Sequence, residues 1–254
     1  MKQLESLVIA FSMYSKVPMP KVNWTKENMR FSMCYFPLVG IICGGLTYLW
    51  FCLAPALGLG EVFRAIVFTL IPILVTGGIH MDGFLDTVDA LSSWQSKERR
   101  LEILKDPNSG AFAVLFCGVY LLSCVAIWSE ITKGEAAGVL GISFLYSRAL
   151  SGFAVTRFRC AKNSGLAATF SDMADRKKAG GMLAAEVVLY GVLMLLVNWK
   201  YGLAAVLIGL MVFFCYRRIS YEKFGGITGD LAGFFLQMCE LFMALCVMII
   251  QKVV

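Results

Sequence analysis

The stretch VFRAIVFTLIPILVTGGIHMDGFLDTVD, residues 62–89, decides the fold, because an apolar run passes through a glycine pair into an acidic segment. The apolar part, 62–79, is close to the roughly 20 residues that cross a bilayer as a helix. Gly77 and Gly78 can end such a helix. The acidic segment follows at once. It is therefore predicted to lie at the edge of a lipid bilayer.

Three aspartates of this segment form what we call the acidic cluster: Asp82, Asp86 and Asp89. On a helix they fall within an arc of roughly 60°, so they point the same way. Three like charges on one face repel one another unless water, basic groups or a divalent cation offsets the repulsion. Ligands that are all oxygen suit Mg²⁺ or Mn²⁺ better than zinc. We predict that the acidic cluster binds Mg²⁺ and takes part in catalysis.

The composition of the whole chain indicates a membrane protein. Of 254 residues, 59% are hydrophobic and 16% charged, with a mean hydropathy of +0.74, well outside the mix of a soluble domain. Apolar stretches of spanning length lie near 31–53, 62–79, 110–131, 136–156, 182–198, 201–216 and 231–250. We predict a single domain over residues 1–254, an all-α polytopic membrane bundle with about seven spans. It should carry an N-terminal interfacial helix near Leu4 to Tyr14 and a cytoplasmic acidic helix.

Charge position predicts the orientation. Of the 23 Lys and Arg residues, 18 lie in four connecting segments at 2–30, 97–105, 157–178 and 217–223. Basic-rich loops face the cytoplasm, so the N-terminus and the acidic cluster should be cytoplasmic, in a cell inner membrane. The net charge of +6 is then explained by the orientation of the chain in the membrane and by contacts of the basic residues with anionic lipid and phosphate-bearing substrates. Nucleic acid is not an expected partner, because the chain carries no recognition motif for it.

Two turns on the basic-rich side carry chemical groups. In KDPNSG, Lys105 and Asp106 stand beside a flexible backbone and are candidates to hold a diphosphate or its metal. In FGGITGD, three further residues, Thr228, Gly229 and Asp230, make a candidate substrate cradle where the last span begins. Each turn also has a purely structural interpretation, since both are rich in residues that favour turns.

Ionisable residues inside spans are expensive unless they face a cavity or a partner. Arg148 is the strongest candidate, as a catalytic cation for phosphate, and Glu240 is a candidate for substrate binding. Glu186 is expected to sit near the interface. His80, the one histidine, lies on the far side of the helix from the acidic cluster. Substrate binding, capping, metal ligation and base catalysis all stay open for it.

Four segments together resemble a known family, cobalamin synthase. They are GGIHMDGFLDTVDAL at 77–91, ERRLEILKDPNSGAFAV at 98–114, FPLVGIICG at 36–44 and GGITGDLAGFFLQMCE at 225–240. The resemblance runs from about residue 31 to about residue 245, and the acidic segment with its KD turn is its most specific part.

The resemblance implies an integral membrane transferase that depends on Mg²⁺. Such an enzyme joins adenosylcobinamide-GDP to α-ribazole, or to α-ribazole 5′-phosphate, and releases GMP. It implies that the acidic cluster holds metal and diphosphate, and that one of its aspartates or Asp106 acts as base. Lys105 and Arg148 would stabilise developing charge, while Thr228 and Asp230 would close the site. Assembly as a homo-oligomer, or with other enzymes of cobalamin synthesis, is compatible with a bundle that has short loops.

Two other functions fit the sequence less well. Membrane CDP-alcohol phosphotransferases also carry boundary aspartates, but their pattern needs an Ala-Arg pair after Asp-Gly. Here Asp82 and Gly83 are followed by Phe84, Leu85, Asp86 and Thr87, with no Ala-Arg pair. Ion-coupled secondary transporters usually place their carboxylates near the middle of the bilayer. In this chain the carboxylates cluster at one boundary.

Overall fold

The computed structural model describes residues 2–162 and 165–253, which form helices joined by short connections. The helices are α1 (Lys2–Tyr14), α2 (Lys26–Met29), α3 (Ser32–Ala56), α4 (Glu61–Thr76), α5 (Ile79–Ser92), α6 (Lys97–Ile103), α7 (Ala111–Ser129), α8 (Gly134–Arg157), α9 (Leu166–Met173), α10 (Arg176–Val197), α11 (Trp199–Ile219) and α12 (Gly229–Val253). A π-helical turn, Ser220–Phe224, extends α11. The prediction of an all-α bundle is confirmed.

Among the described residues, six helices are long and apolar enough to cross a membrane, namely α3, α7, α8, α10, α11 and α12. The bent pair α4 and α5 raises the number to seven if it counts as one span. This agrees with the predicted number of about seven. Helix α8 packs against α3, α10 and α12 and is buried along most of its length. The bundle is therefore built around α8, while α7 and α10 expose large apolar side chains to the surroundings.

The glycine pair ends α4 as predicted. Gly77 and Gly78 have φ values of +64° and +80°, in the left-handed region that glycine enters at little cost. The chain turns there, and α5 runs at 98° to α4. The sequence from the acidic cluster through SKERRLEILKDPNSG predicts one helical run. The structure differs: Trp94 has a φ of +55°, which breaks the run, and Ser96 caps a separate helix, α6.

Helix α5 crosses the start of α12 at very short range. A Cβ atom on Gly83 would lie 2.8 Å from both Cα and the carbonyl oxygen of Asp230. On the other side of the crossing, a Cβ atom on Gly233 would lie 2.9 Å from the carbonyl oxygen of His80. The two backbones meet because neither glycine has a side chain. This crossing brings the acidic cluster next to the turn that precedes the last helix.

Hydrogen bonds join three of the basic-rich segments at one end of the bundle, which we call the basic end. The Arg100 side chain donates to the carbonyl of Lys223 at 3.5 Å, and Lys162 Nζ donates to the carbonyl of Leu101 at 2.5 Å. Nearby, the backbone amide of Ala161 donates to the carbonyl of Ile227 at 2.8 Å. The segment after α8, the segment before α7 and the start of α12 therefore form one surface.

Gly83→Ala should destabilise the protein, because its Cβ atom would collide with the backbone of Asp230 and force α5 away from α12. We expect a loss of about 1–3 kcal/mol in the free energy of unfolding, measured as a lower thermal midpoint in detergent. Gly118→Ala is the matched control, since a Cβ atom there meets nothing within 4 Å. Equal midpoints for the two variants would show that the α5–α12 crossing is not tight.

Candidate active site

Helix α5 carries all three aspartates of the acidic cluster in one continuous helical segment. Asp82 is exposed, while Asp86 and Asp89 are partly buried. Asp86 interacts electrostatically with both of the other two. The opposite face of α5, including Phe84 and Val88, is buried in the core. The carboxylates therefore share the polar side of an amphipathic helix at the basic end.

Asp230 adds a fourth carboxylate from α12. It interacts electrostatically with Asp82 and Asp86 across the helix crossing. Its neighbour Thr228 donates a hydrogen bond to Asp230 Oδ2 at 3.4 Å and accepts one from the backbone amide of Leu231 at 3.2 Å. Thr228 thus caps the start of α12 and orients Asp230. The two predicted parts of the site, far apart in sequence, lie side by side.

The KDPNSG turn also reaches the acidic cluster, through its glycine. A Cβ atom on Gly110 would overlap the carboxylate of Asp89. Asp106 does not point into the site: it is exposed and accepts hydrogen bonds from the backbone amide and the side chain of Asn108, at 2.9 and 3.0 Å. These bonds lower the pKa of Asp106. Asp106 thus closes the turn, and its role as a general base stays a prediction.

A cleft of about 180 Å³, which we call the lysine cleft, lies beside Asp230. Its polar walls come from Lys105, Lys162, Thr228, Gly229 and Asp230. Burial, and then the charge of Lys105, lowers the pKa of the Lys162 ammonium, while Asp230 opposes the shift. Two ammonium groups facing one carboxylate leave an excess of positive charge. The lysine cleft therefore suits a phosphate group.

A second cleft, of about 300 Å³, continues from Lys162 along the segment after α8. We call it the arginine cleft, after Arg157, Arg159 and Arg176. Neutral groups hold all three guanidinium groups: Arg157 donates to the carbonyl of Lys177 at 3.4 Å, Arg159 to the carbonyl of Gly225 at 2.9 Å, and Arg176 to Ser171 Oγ at 2.7 Å. In the described part of the chain, none of the three arginines forms a salt bridge. Asp172 also lines the cleft, so the three guanidinium groups outnumber the one carboxylate and leave positive charge available to an anion.

A third space, of about 270 Å³, lies on the other side of Asp230, between α1, α3, α5, α8 and α12. We call it the aromatic cavity, because Tyr14, Phe36 and His80 line it. It shares Gly229 and Asp230 with the lysine cleft. His80 therefore faces this cavity, whereas Lys105 and Lys162 face the cleft.

The structure does not bring Arg148 or Glu240 to the site. Arg148 is 1% exposed and pairs with Glu240 at 2.7 Å, while Ser147 Oγ donates to the same Glu240 oxygen at 2.9 Å. Arg148 also donates to the carbonyl of Phe144 at 2.9 Å. Neither residue lines the spaces around Asp230, so the roles of Arg148 in catalysis and of Glu240 in substrate binding stay predictions. The pair neutralises itself in the core and joins α8 to α12.

The donor set of the site fits a hard divalent cation. It consists of carboxylate oxygens, with Asp82, Asp86, Asp89 and Asp230 close enough to repel one another. Within residues 2–162 and 165–253, no three His, Cys, Asp or Glu side chains converge as a ready metal site. Mg²⁺ does not require such convergence, because it keeps several waters and commonly uses one or two carboxylates plus substrate phosphates. The acidic cluster as a metal site stays a prediction.

Sequence reasoning missed several residues that line these spaces. Lys162, Arg159 and Arg176 were noticed only as basic loop residues, and Tyr14 only as the end of an interfacial helix. The available signal was the length of the polar segment 157–181 on the basic-rich side. What the pattern could not show was which of its cations face the acidic cluster, because that depends on how the segment packs against α12.

Comparison with known proteins gives a consistent result. The family model described as cobalamin-5-phosphate synthase matches residues 6–248. A protein of Lachnoclostridium phytofermentans named adenosylcobinamide-GDP ribazoletransferase is 47% identical, over 100% of this chain and 97% of that protein. Proteins with the same name from Clostridium botulinum and Clostridium perfringens are each 30% identical, over 95% and 93% of this chain and 96% and 94% of their own length. No solved structure matches the chain.

Arg148→Met should unfold the protein easily, because it leaves Glu240 as an uncompensated buried charge. We expect a loss of roughly 3–5 kcal/mol in the free energy of unfolding, measured by chemical denaturation in micelles. The double variant Arg148→Met/Glu240→Leu should regain most of that loss, since it removes both charges. If Arg148 instead acted only on a bound substrate, the single variant would be as stable as the parent protein.

Proposed function

Because the chain belongs to the cobalamin-5-phosphate synthase family, we propose that it is an adenosylcobinamide-GDP ribazoletransferase. It joins adenosylcobinamide-GDP to α-ribazole, or to α-ribazole 5′-phosphate, and releases GMP. The products are adenosylcobalamin or its 5′-phosphate. The observation that carries the proposal is the position of Asp230, which lines the lysine cleft with Lys105 and Lys162 and lies within electrostatic reach of Asp82 and Asp86.

Mg²⁺ is the proposed cofactor, and Asp82, Asp86, Asp89 and Asp230 are the residues that would hold it. Once bound, the ion neutralises the charge of the diphosphate and makes its phosphorus easier to attack. The chain supplies the remaining requirements of the reaction. Lys105 and Lys162 hold the departing phosphate of GMP, because the lysine cleft carries their ammonium groups beside Asp230. This arrangement opposes the charge that develops as the phosphorus–oxygen bond to GMP breaks.

The attacking group is a hydroxyl of the acceptor ribose. Its oxygen forms a bond to the phosphorus that carries the cobinamide, and its proton passes to a carboxylate. Asp82 and Asp230 are the best placed bases, since both line the aromatic cavity and Asp230 also lines the lysine cleft. Asp106, the alternative base, faces solvent. The leaving GMP takes the electron pair of the broken bond, so the reaction needs no redox partner.

The arginine cleft supports binding of a second anionic group near the reacting centre. It meets the lysine cleft at Lys162, so one molecule with two phosphates, or two neighbouring phosphorylated substrates, would span both. Guanidinium groups bind phosphate in a fixed, two-pronged geometry. This arrangement suits an enzyme whose donor and products carry phosphate.

We propose that the basic end faces the cytoplasm and that the protein lies in the cell inner membrane. The distribution of Lys and Arg favours this orientation, and the structure supports it by gathering the basic segments at the end that carries the acidic cluster. Soluble nucleotides would then reach the site without crossing the bilayer. The family match favours the transferase over a CDP-alcohol phosphotransferase or a transporter.

Replacing Asp82 or Asp86 by Asn should reduce turnover at least a hundredfold, because each change removes a charge that binds the metal and the diphosphate. The measurement is GMP release by protein in nanodiscs supplied with Mg²⁺, adenosylcobinamide-GDP and α-ribazole. Glu98→Gln is the matched control, since Glu98 is an exposed carboxylate of α6 at the same end. EDTA should stop the reaction, and Mg²⁺ or Mn²⁺ should restore it. Turnover like that of the parent protein in both aspartate variants would refute the assignment.

A further inference from the structure

Three aromatic rings, those of Tyr14, Phe36 and His80, lie together in the aromatic cavity, and we call the part of the cavity that they line the box. The ring centroids of Tyr14 and Phe36 are 4.3 Å apart, and the ring of His80 lies 6.1 Å from that of Tyr14 and 5.7 Å from that of Phe36. The Tyr14 and His80 rings are stacked, while Phe36 meets His80 edge-on. The three rings pack on one another, so together they form an aromatic wall of the cavity against which a flat guest can stack.

One polar atom in this box has no partner. In the described part of the chain, Nε2 of His80 accepts or donates no hydrogen bond, although the residue is only 5% exposed. A buried polar atom without a partner is unfavourable by about 1–3 kcal/mol and is uncommon in native proteins. An imidazole nitrogen can donate or accept a hydrogen bond, depending on which ring nitrogen carries the proton. An unpartnered, buried imidazole nitrogen beside an aromatic cavity points to a ligand.

The cavity leads directly to the reacting groups. Asp82, Gly229 and Asp230 line it together with His80, and Gly229 and Asp230 also border the lysine cleft. A riboside with its base in the box would therefore present its sugar to the two carboxylates. This is the position that an attacking ribose hydroxyl needs in the proposed reaction.

We propose that the aromatic cavity binds the base of the acceptor riboside and that His80 Nε2 donates a hydrogen bond to its free ring nitrogen. The inference rests on the proposed function and assigns an acceptor site to it. A benzimidazole matches the box closely, because it is a flat bicyclic ring with an apolar edge and a single accepting nitrogen once the other carries ribose. His80 is thus the residue that determines specificity for the base.

The other parts of the substrates fit this cavity poorly. Guanine presents several donors and acceptors at its edges, whereas Met33, Phe36 and Leu236 on the apolar side of the cavity offer it no partner, and the carboxylates that line the cavity, Asp82 and Asp230, belong to the reacting centre. Unpaired polar groups of this kind are strongly rejected. A corrin ring is too large, since about 270 Å³ is below the roughly 300–1,000 Å³ of pockets for drug-sized ligands.

The test compares α-ribazole with its indole analogue, in which a C–H group replaces the accepting nitrogen. With the parent enzyme in nanodiscs, the analogue should have a kcat/KM roughly tenfold lower, as expected for one lost hydrogen bond. His80→Phe should lower kcat/KM for α-ribazole by a similar factor, mainly through KM, and should leave the analogue unchanged. Calorimetric titration of α-ribazole without the corrinoid should show the same loss of affinity.

Two further variants separate recognition from folding. His80→Gln keeps a donor and should retain more of the discrimination between the two acceptors than His80→Phe does. Phe213→Leu changes a buried aromatic residue outside the cavity and should leave the discrimination intact. If His80→Phe does not fold, the comparison of the two acceptors on the parent enzyme still decides the question.

Three results would overturn the inference. Equal kcat/KM for the two acceptors would show that no donor reads the ring nitrogen. An equal loss for both acceptors in His80→Phe would make the role of His80 structural. If His80→Phe raised the inhibition constant of GMP and left the kinetics of both acceptors unchanged, guanine and not the acceptor base would occupy the box. In each of these cases the cobalamin product still forms, whereas its absence with the parent enzyme would refute the proposed function itself.

Discussion

The contact of two helix backbones at Gly83 and Asp230 is the constraint on which the site depends. Because Gly83 has no side chain, α5 lies directly on the first turn of α12. The contact brings carboxylates from two distant segments into electrostatic reach of one another. Like charges at such range are unfavourable unless water or a cation surrounds them. That requirement explains why the crossing lies at a polar end of the bundle and not in its middle.

Three spaces surround this crossing and divide the chemistry between them. The lysine cleft and the arginine cleft offer cations, whereas the aromatic cavity offers rings and one unpaired imidazole nitrogen. Asp230 lies between the lysine cleft and the aromatic cavity and lines both. In the proposed reaction a charged diphosphate meets a riboside. Cations for the diphosphate and aromatic rings for the base must therefore lie close to the same reacting atoms. None of the three spaces is large, so in the proposed reaction most of a corrinoid would stay outside them.

Arg148 shows that a charge inside a span can have a structural partner that the sequence does not reveal. A cation inside a span is expensive and therefore suggests function. Its partner, Glu240, lies 92 residues away on α12, and the pair is buried with a hydroxyl and a backbone carbonyl around it. The structural demand of joining α8 to α12 accounts for both charges. The rule correctly detected a buried polar group, but it could not tell a substrate from a partner within the protein.

The sequence by itself determined the membrane fold, the glycine break after α4 and the placing of Asp82, Asp86 and Asp89 on one helix. These features are local, because they depend on hydropathy, helix period and the backbone freedom of glycine. Only the tertiary structure decided that Asp230 joins them, that Lys162 faces them, and that His80 turns toward Tyr14 and Phe36. Those contacts depend on how helices far apart in the chain cross, and helix crossing is set by packing that no single segment encodes.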